Sequence, residues 1–135
     1  MSQPYKGSCL CGGIRFEAES FVPRIANCHC TMCRKFHGAA FGTLVRAEGL
    51  RWLSGQALLQ DYVGHNGTVR TFCRECGSSL GFRVKGAAFE QLEIALGAFD
   101  DELPAKVDAH IYTDYKACWY DISDTLPQYG EGRTG

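Results

Sequence analysis

Seven of the eight cysteines in this 135-residue chain fall into three tight clusters. They are Cys9-Leu10-Cys11, Cys28-His29-Cys30-Thr31-Met32-Cys33 and Cys73-Arg74-Glu75-Cys76. Thiolates one or two residues apart can chelate one metal ion without distorting the backbone. Four of them close a tetrahedral zinc site, whereas three leave one position open. Cys9 and Cys11 with Cys73 and Cys76 supply four; Cys28, Cys30 and Cys33 supply three. The count predicts a structural zinc ion and a second, more weakly held one that could do chemistry.

In the closed set, Cys73-Arg74-Glu75-Cys76-Gly77 has the form of a knuckle in which backbone N–H groups face the sulfurs. Gly77 permits the positive φ or the close approach that such a turn often needs. Gly12-Gly13 would let the chain fold back after Cys11. Two buried free thiols at Cys9 and Cys11 are the alternative. In the open set, an extended Cys28-His29-Cys30 leading into a helical turn that carries Cys33 would point three sulfurs at one ion. Three thiolates lessen the Lewis acidity of the ion, so the ligand best suited to the fourth place is a substrate thiol, whose pKa a metal lowers. The same residues also fit a second structural site closed by His29, His37 or Cys118, or a metal-free redox pair in Cys30-x-x-Cys33.

The elements that must position these thiols read mainly as strands. Apolar residues alternate at Ile14, Phe16 and Ala18, at Leu80, Phe82 and Val84, and at Leu92, Ile94 and Leu96. Phe41 to Val45, Leu50 to Leu53, Leu58 to Val63, Val69 to Phe72 and Val107 to Tyr112 read the same way. Gly55, Gly64-His65-Asn66-Gly67, Gly77 and Gly86 mark turns between them. Helix is expected only from about Thr31 to Phe36 and as a turn near Cys118 to Asp124. The expected architecture is mainly β: short antiparallel strands in small sheets, one domain over 1–129, and a disordered tail over 130–135.

Composition narrows the function. The chain is 45% hydrophobic with a net charge of −1. That is not the basic profile of a nucleic-acid module, so no nucleic-acid partner is expected. No apolar run approaches a membrane span, and residues 1–6 lack the apolar core of a signal peptide. A cytoplasmic location follows as the expectation, with thiols reduced. Cys-x-Cys and Cys-x-x-Cys pairs would also strain as structural disulfides.

Three motifs carry a resemblance. Gly7-Ser8-Cys9-Leu10-Cys11-Gly12-Gly13-Ile14-Arg15-Phe16, Cys28-His29-Cys30-Thr31-Met32-Cys33-Arg34-Lys35 and Phe72-Cys73-Arg74-Glu75-Cys76-Gly77-Ser78 occur in this order. Together they resemble the glutathione-dependent formaldehyde-activating enzyme and centromere protein V family. The segment from His110-Ile111-Tyr112 through Trp119 to Leu126-Pro127-Gln128-Tyr129 is similar to the family's C-terminal end. The resemblance implies a β-tent fold, shared with small zinc chaperones that bind Rab GTPases. It implies a structural zinc on Cys9, Cys11, Cys73 and Cys76, and a catalytic one on Cys28, Cys30 and Cys33. The activity implied is a carbon–sulfur lyase reaction joining glutathione and formaldehyde as S-hydroxymethylglutathione. A zinc-stabilised protein-binding module without catalysis is the competing function.

The remaining side chains read more plainly. His29 and His37 flank the open set and read as hydrogen-bonded or surface histidines, with proton transfer as the sharper alternative. Arg34 and Lys35 could attract the carboxylates of glutathione, or form a solvated basic face. His110 reads as structural and Cys118 as a buried free thiol. Trp52 and Trp119 read as core or rim aromatics. Neither the substrate nor the oligomeric state is legible at this level.

Overall fold

A computed structural model describes residues 3–133. In chain order the elements are β1 (Tyr5–Ser8), β2 (Arg15–Ala18), β3 (Ser20–Phe21), β4 (Ala26–Cys28), α1 (Thr31–His37), β5 (Gly42–Glu48), β6 (Arg51–Ser54), β7 (Leu59–Val63), β8 (Val69–Cys73), β9 (Ser79–Arg83), β10 (Glu93–Ala95) and β11 (Ala109–Ile111). Strand makes up 36% of the chain against 15% helix, so the protein is mainly β with small antiparallel sheets. No helix among the described residues is long and apolar enough to cross a membrane.

The chain divides into two compact units. The first runs through Val22 and then takes Leu44–Pro104. Its smaller sheet has the order β1-β2-β6, all antiparallel. Its larger one runs β5-β10-β9-β8-β7, again antiparallel, with β3 on β5. Alternation in the sequence has the expected physical result. Ile14, Phe16, Ala18, Leu80, Leu92 and Ile94 are buried together with Cys9 and Cys73. Phe16 lies edge-on to Trp52 and Phe99, with ring centres 5.7 and 5.2 Å away, the geometry that aromatic quadrupoles favour. Val84 breaks the pattern: β9 ends at Arg83, and Val84 is exposed. On the polar side, Asp61 accepts hydrogen bonds from Thr71 and Arg83.

Two positions in this unit give sharp expectations. Gly55 has φ +80°, and a Cβ there would sit 2.8 Å from the Gly13 carbonyl carbon and from the Ile14 Cα. Gly55→Ala should therefore cost about 1–3 kcal/mol in strain alone, read as a fall in Tm. Glu93 sits opposite Arg46 in the β10–β5 pair. Burial raises its pKa despite the charge of Arg46. A carboxyl with a raised folded pKa contributes stability below its unfolded pKa and loses it as pH rises through the folded one. Glu93→Gln should accordingly raise Tm at pH 7, with the difference vanishing in acid.

The second unit comprises Pro23–Thr43 and the chain from Ala105 onward. Here β11 pairs β4 in parallel, with Ala109 opposite Ala26, His110 opposite Asn27 and Ile111 opposite Cys28. Helix α1 follows β4 and ends at Gly38, whose N–H bonds the Arg34 carbonyl. The turn expected over Cys118 to Asp124 is confined to Cys118–Trp119, and a short 3-10 helix forms at Thr113–Tyr115 instead. In the segment 130–135, where composition predicts disorder, the described residues are held. Backbone carbonyls of Gly130 and Glu131 accept from Asp114 and Tyr112, and Arg133 pairs with Asp108. Thr134 and Gly135 lie outside the described residues.

Candidate functional site

The four thiols of the first unit come from two hairpin loops. Cys9 and Cys11 lie between β1 and β2, and Cys76 lies between β8 and β9, next to Cys73 at the end of β8. Each loop is tied internally: Cys9 N–H to the Ile14 carbonyl at 3.1 Å, and Gly77 N–H to the Cys73 carbonyl at 2.7 Å. Gly77 has φ +78°, the positive value its place in the motif predicts. One hydroxyl joins the loops. Ser78 Oγ accepts the Leu10 N–H at 2.7 Å and lies 3.2 Å from Cys76 Sγ.

All four sulfurs lie within 4.8 Å of one another. Sulfurs about 2.3 Å from a shared zinc ion sit about 3.8 Å apart along a tetrahedral edge. Cys9–Cys11 at 3.5 Å and Cys11–Cys73 at 3.9 Å match that edge. Ionisation is favoured at two of the four, whereas at Cys11 the Gly13 N–H is outweighed by Cys9 and burial, which push that thiol up to about 11. The Ser78 hydroxyl brings the Cys76 thiol down to about 5. For Cys9, burial works against ionisation, but the Ile14 N–H and the neighbouring thiols prevail and lower its pKa. The donor set therefore fits a closed, soft-metal site. No two cysteines are joined as a disulfide among the described residues.

The three thiols of the second unit are also brought together, within 4.8 Å of one another. Cys28 ends β4, Cys30 caps α1, and Cys33 is buried in its first turn. Cys30 Sγ accepts the Cys33 N–H at 3.2 Å, the role that a serine or aspartate oxygen plays at ordinary N-caps. Hydrogen bonding with Cys30 and Cys33, then burial, pushes the Cys28 thiol far up. Three crowded sulfurs cannot all ionise without a cation, so this donor set fits a soft metal with an incomplete shell.

His29 does not join the cluster. Its ring turns the other way and is fully buried. Its Nε2 is 2.9 Å from His110 Nδ1, and His110 Nε2 is 2.9 Å from an Asp124 oxygen. Burial, aided by the neighbouring His110 and Lys116, lowers the His29 pKa to about 4. Its Nδ1 is buried without a hydrogen-bond partner among the described residues. His37 packs its ring against Gly42 and Phe36. Lys35 is exposed and Arg34 half-buried on the helix that carries Cys33. Cys118, expected to be buried, is exposed. The chain turns at Cys118–Trp119, and Ala117 takes the inward place. Trp119 is likewise exposed rather than at a core rim.

Sequence reasoning passed over three participants. Ser78 had a signal, since it directly follows the knuckle glycine. Asp124 had none, because nothing local marks it as a partner of His110. Tyr112 adopts φ 55°, the one positive φ at a non-glycine among the described residues, and such strain gathers at functional sites. Burial, then the proximity of Cys28 and Cys30, raises its pKa, so its phenol stays neutral beside the thiols.

Residues 4–115 match the family described as glutathione-dependent formaldehyde-activating enzyme. A Schizosaccharomyces pombe protein named as an uncharacterized lyase is 30% identical over 78 residues, 58% of this chain. That match spans 56% of the relative's own length. A crystal structure of a Rhodobacter sphaeroides protein superposes with a TM-score of 0.59 at 21% identity, covering 91% of this chain and 98% of that one. At that identity the likeness concerns the fold.

Proposed function

Because the chain belongs to the glutathione-dependent formaldehyde-activating enzyme family, we propose that it is a zinc-dependent carbon–sulfur lyase acting on adducts of glutathione with formaldehyde or a related aldehyde. The lyase name of the fission-yeast relative supports the reaction class. The observation that carries the reading is the convergence of Cys28, Cys30 and Cys33 as a set of three, separate from a complete set of four.

In this reading Cys9, Cys11, Cys73 and Cys76 hold a structural ion, and Cys28, Cys30 and Cys33 hold the one that works. Zinc bound to three thiolates supplies an electrophilic centre that lowers the pKa of an added thiol. The chain's residues do the rest. Strand β4 and helix α1 fix the directions of the three sulfurs. Arg34 and Lys35 place two cations on α1, suited to the two carboxylates of glutathione. The neutral Tyr112 phenol can donate a hydrogen bond where negative charge develops on the aldehyde oxygen. In the reaction a carbon–sulfur bond forms, and the proton lost by sulfur ends on that oxygen; nothing is oxidised. Formaldehyde adds to thiols unaided, so the gain lies mainly in holding the two partners together.

Metal stoichiometry on full-length protein purified without chelator, with and without glutathione, tests this. Two zinc ions per chain, with sulfur coordination at one rising on glutathione addition, is the expected result. One ion regardless of glutathione, with no turnover, would instead support the non-catalytic binding module.

A further inference from the structure

We propose that Asp124 and His110 form a positioning relay that, through His29, holds the Cys28–Cys33 loop in its thiol-converging shape. The chain beyond the family-matched region 4–115 is then a working part of the site. The inference rests on the functional reading of that cluster.

The relay is short and continuous. Asp124 Oδ2 lies 2.9 Å from His110 Nε2, and its Oδ1 also accepts the Leu126 N–H at 3.0 Å, which fixes the carboxylate. The hydrogen bond from His110, followed by that from Leu126, lowers the Asp124 pKa. An ionised carboxylate only accepts, so His110 donates from Nε2. A neutral His110 then offers Nδ1 to the N–H of His29 Nε2, 2.9 Å away. This fixes both tautomers and both ring planes.

The backbone is held with equal care. His110 N–H bonds the Pro127 carbonyl, and the Tyr129 N–H bonds the His110 carbonyl, each at 2.9 Å. The His29 N–H bonds the Ile111 carbonyl at 2.9 Å. Phe41 and Tyr120 flank the His29 ring, with centres 5.2 and 6.3 Å away. Lys116 Nζ donates to the carbonyls of Ala117 and Tyr120, pinning the segment that supplies Tyr120.

His29 stands between two of the three sulfurs. In extended backbone, neighbours point to opposite sides while i and i+2 share one. Anchoring the His29 ring on one side thus aims Cys28 and Cys30 on the other. Loosening the anchor leaves every ligand in place but spreads their directions, which is how outer partners affect metal sites.

The test uses the full chain with both sites loaded and follows each by chelator competition, with amide exchange over residues 28–34 read on the same samples. Asp124→Ala should weaken metal binding at the three-thiol site by about 10–100-fold. It should also speed exchange in the loop, while the four-thiol site stays unchanged. Asp124→Asn, whose amide oxygen can still accept from His110, should restore both readouts. His110→Phe should act like Asp124→Ala; should it fail to fold, the exposed Asp124 position decides. Unchanged affinity and exchange in Asp124→Ala overturn the relay and leave the functional reading intact. Equal weakening of both sites also overturns it, since Asp124 would then serve only general stability. If the wild-type three-thiol cluster binds no metal, the functional reading fails, and the relay stands or falls on amide exchange alone.

Discussion

Cys73→Ser is expected to unfold the first unit, seen as loss of its cooperative melting transition at 25 °C and of one bound metal ion per chain. Cys73 is fully buried within the cluster formed by Ile14, Phe16, Leu80, Leu92 and Ile94, so the serine hydroxyl would enter an apolar site. More important is the ion that we propose the four thiols hold. A structural zinc site of this type contributes about 10–16 kcal/mol of apparent binding free energy. A whole domain is stable by only about 5–15 kcal/mol. Losing one of four ligands therefore outweighs anything the small sheets can supply. A strong chelator should produce the same unfolding in the wild type, reversed by added zinc. A Cys73→Ser protein that melts within a few degrees of wild type would show that packing alone holds these loops.

Cys30→Ser should give the opposite pattern. Turnover of glutathione and formaldehyde should fall by about 100-fold or more, as expected when a reacting group loses its positioning. Tm should move by no more than about 4 °C, near 1 kcal/mol for a chain of this size. The separation follows from the dual role of Cys30. Its sulfur is a proposed ligand, and it also caps α1 by accepting the Cys33 N–H. Serine is among the best capping residues, so the helix keeps its cap while the site loses a thiolate. Cys33→Ser separates the roles less cleanly, because Cys33 is buried. Wild-type turnover in Cys30→Ser would remove the three-thiol cluster from the chemistry.

What could be read in the sequence was what depends on near neighbours. Chelating spacing is local, and all seven clustered cysteines meet in the sets that their spacing predicts. Helix α1 and the β8–β9 hairpin were equally legible, since capping, turn glycines and alternation act over a few residues. Strand β4 was not. Ala26-Asn27-Cys28 is too short to establish a period, and it becomes a strand by pairing with β11, more than eighty residues later. The bond between His29 and His110 spans the same gap, and Asp124 joins it from a segment without regular structure. Cys118 reads as buried, but the chain turns at Cys118–Trp119 and places it outside.

The second unit is assembled from two stretches far apart in the chain, and this gives the site a history during synthesis. Cys28, Cys30 and Cys33 leave the ribosome long before His110 and Asp124. At about 5–20 residues per second, the delay is on the order of seconds to tens of seconds. During that interval His29 lacks the ring partner it has in the finished fold. A chain cut after residue 115 would keep all seven clustered cysteines and His110 while losing the carboxylate that we propose orients them. Such a truncation would remove aim rather than ligands.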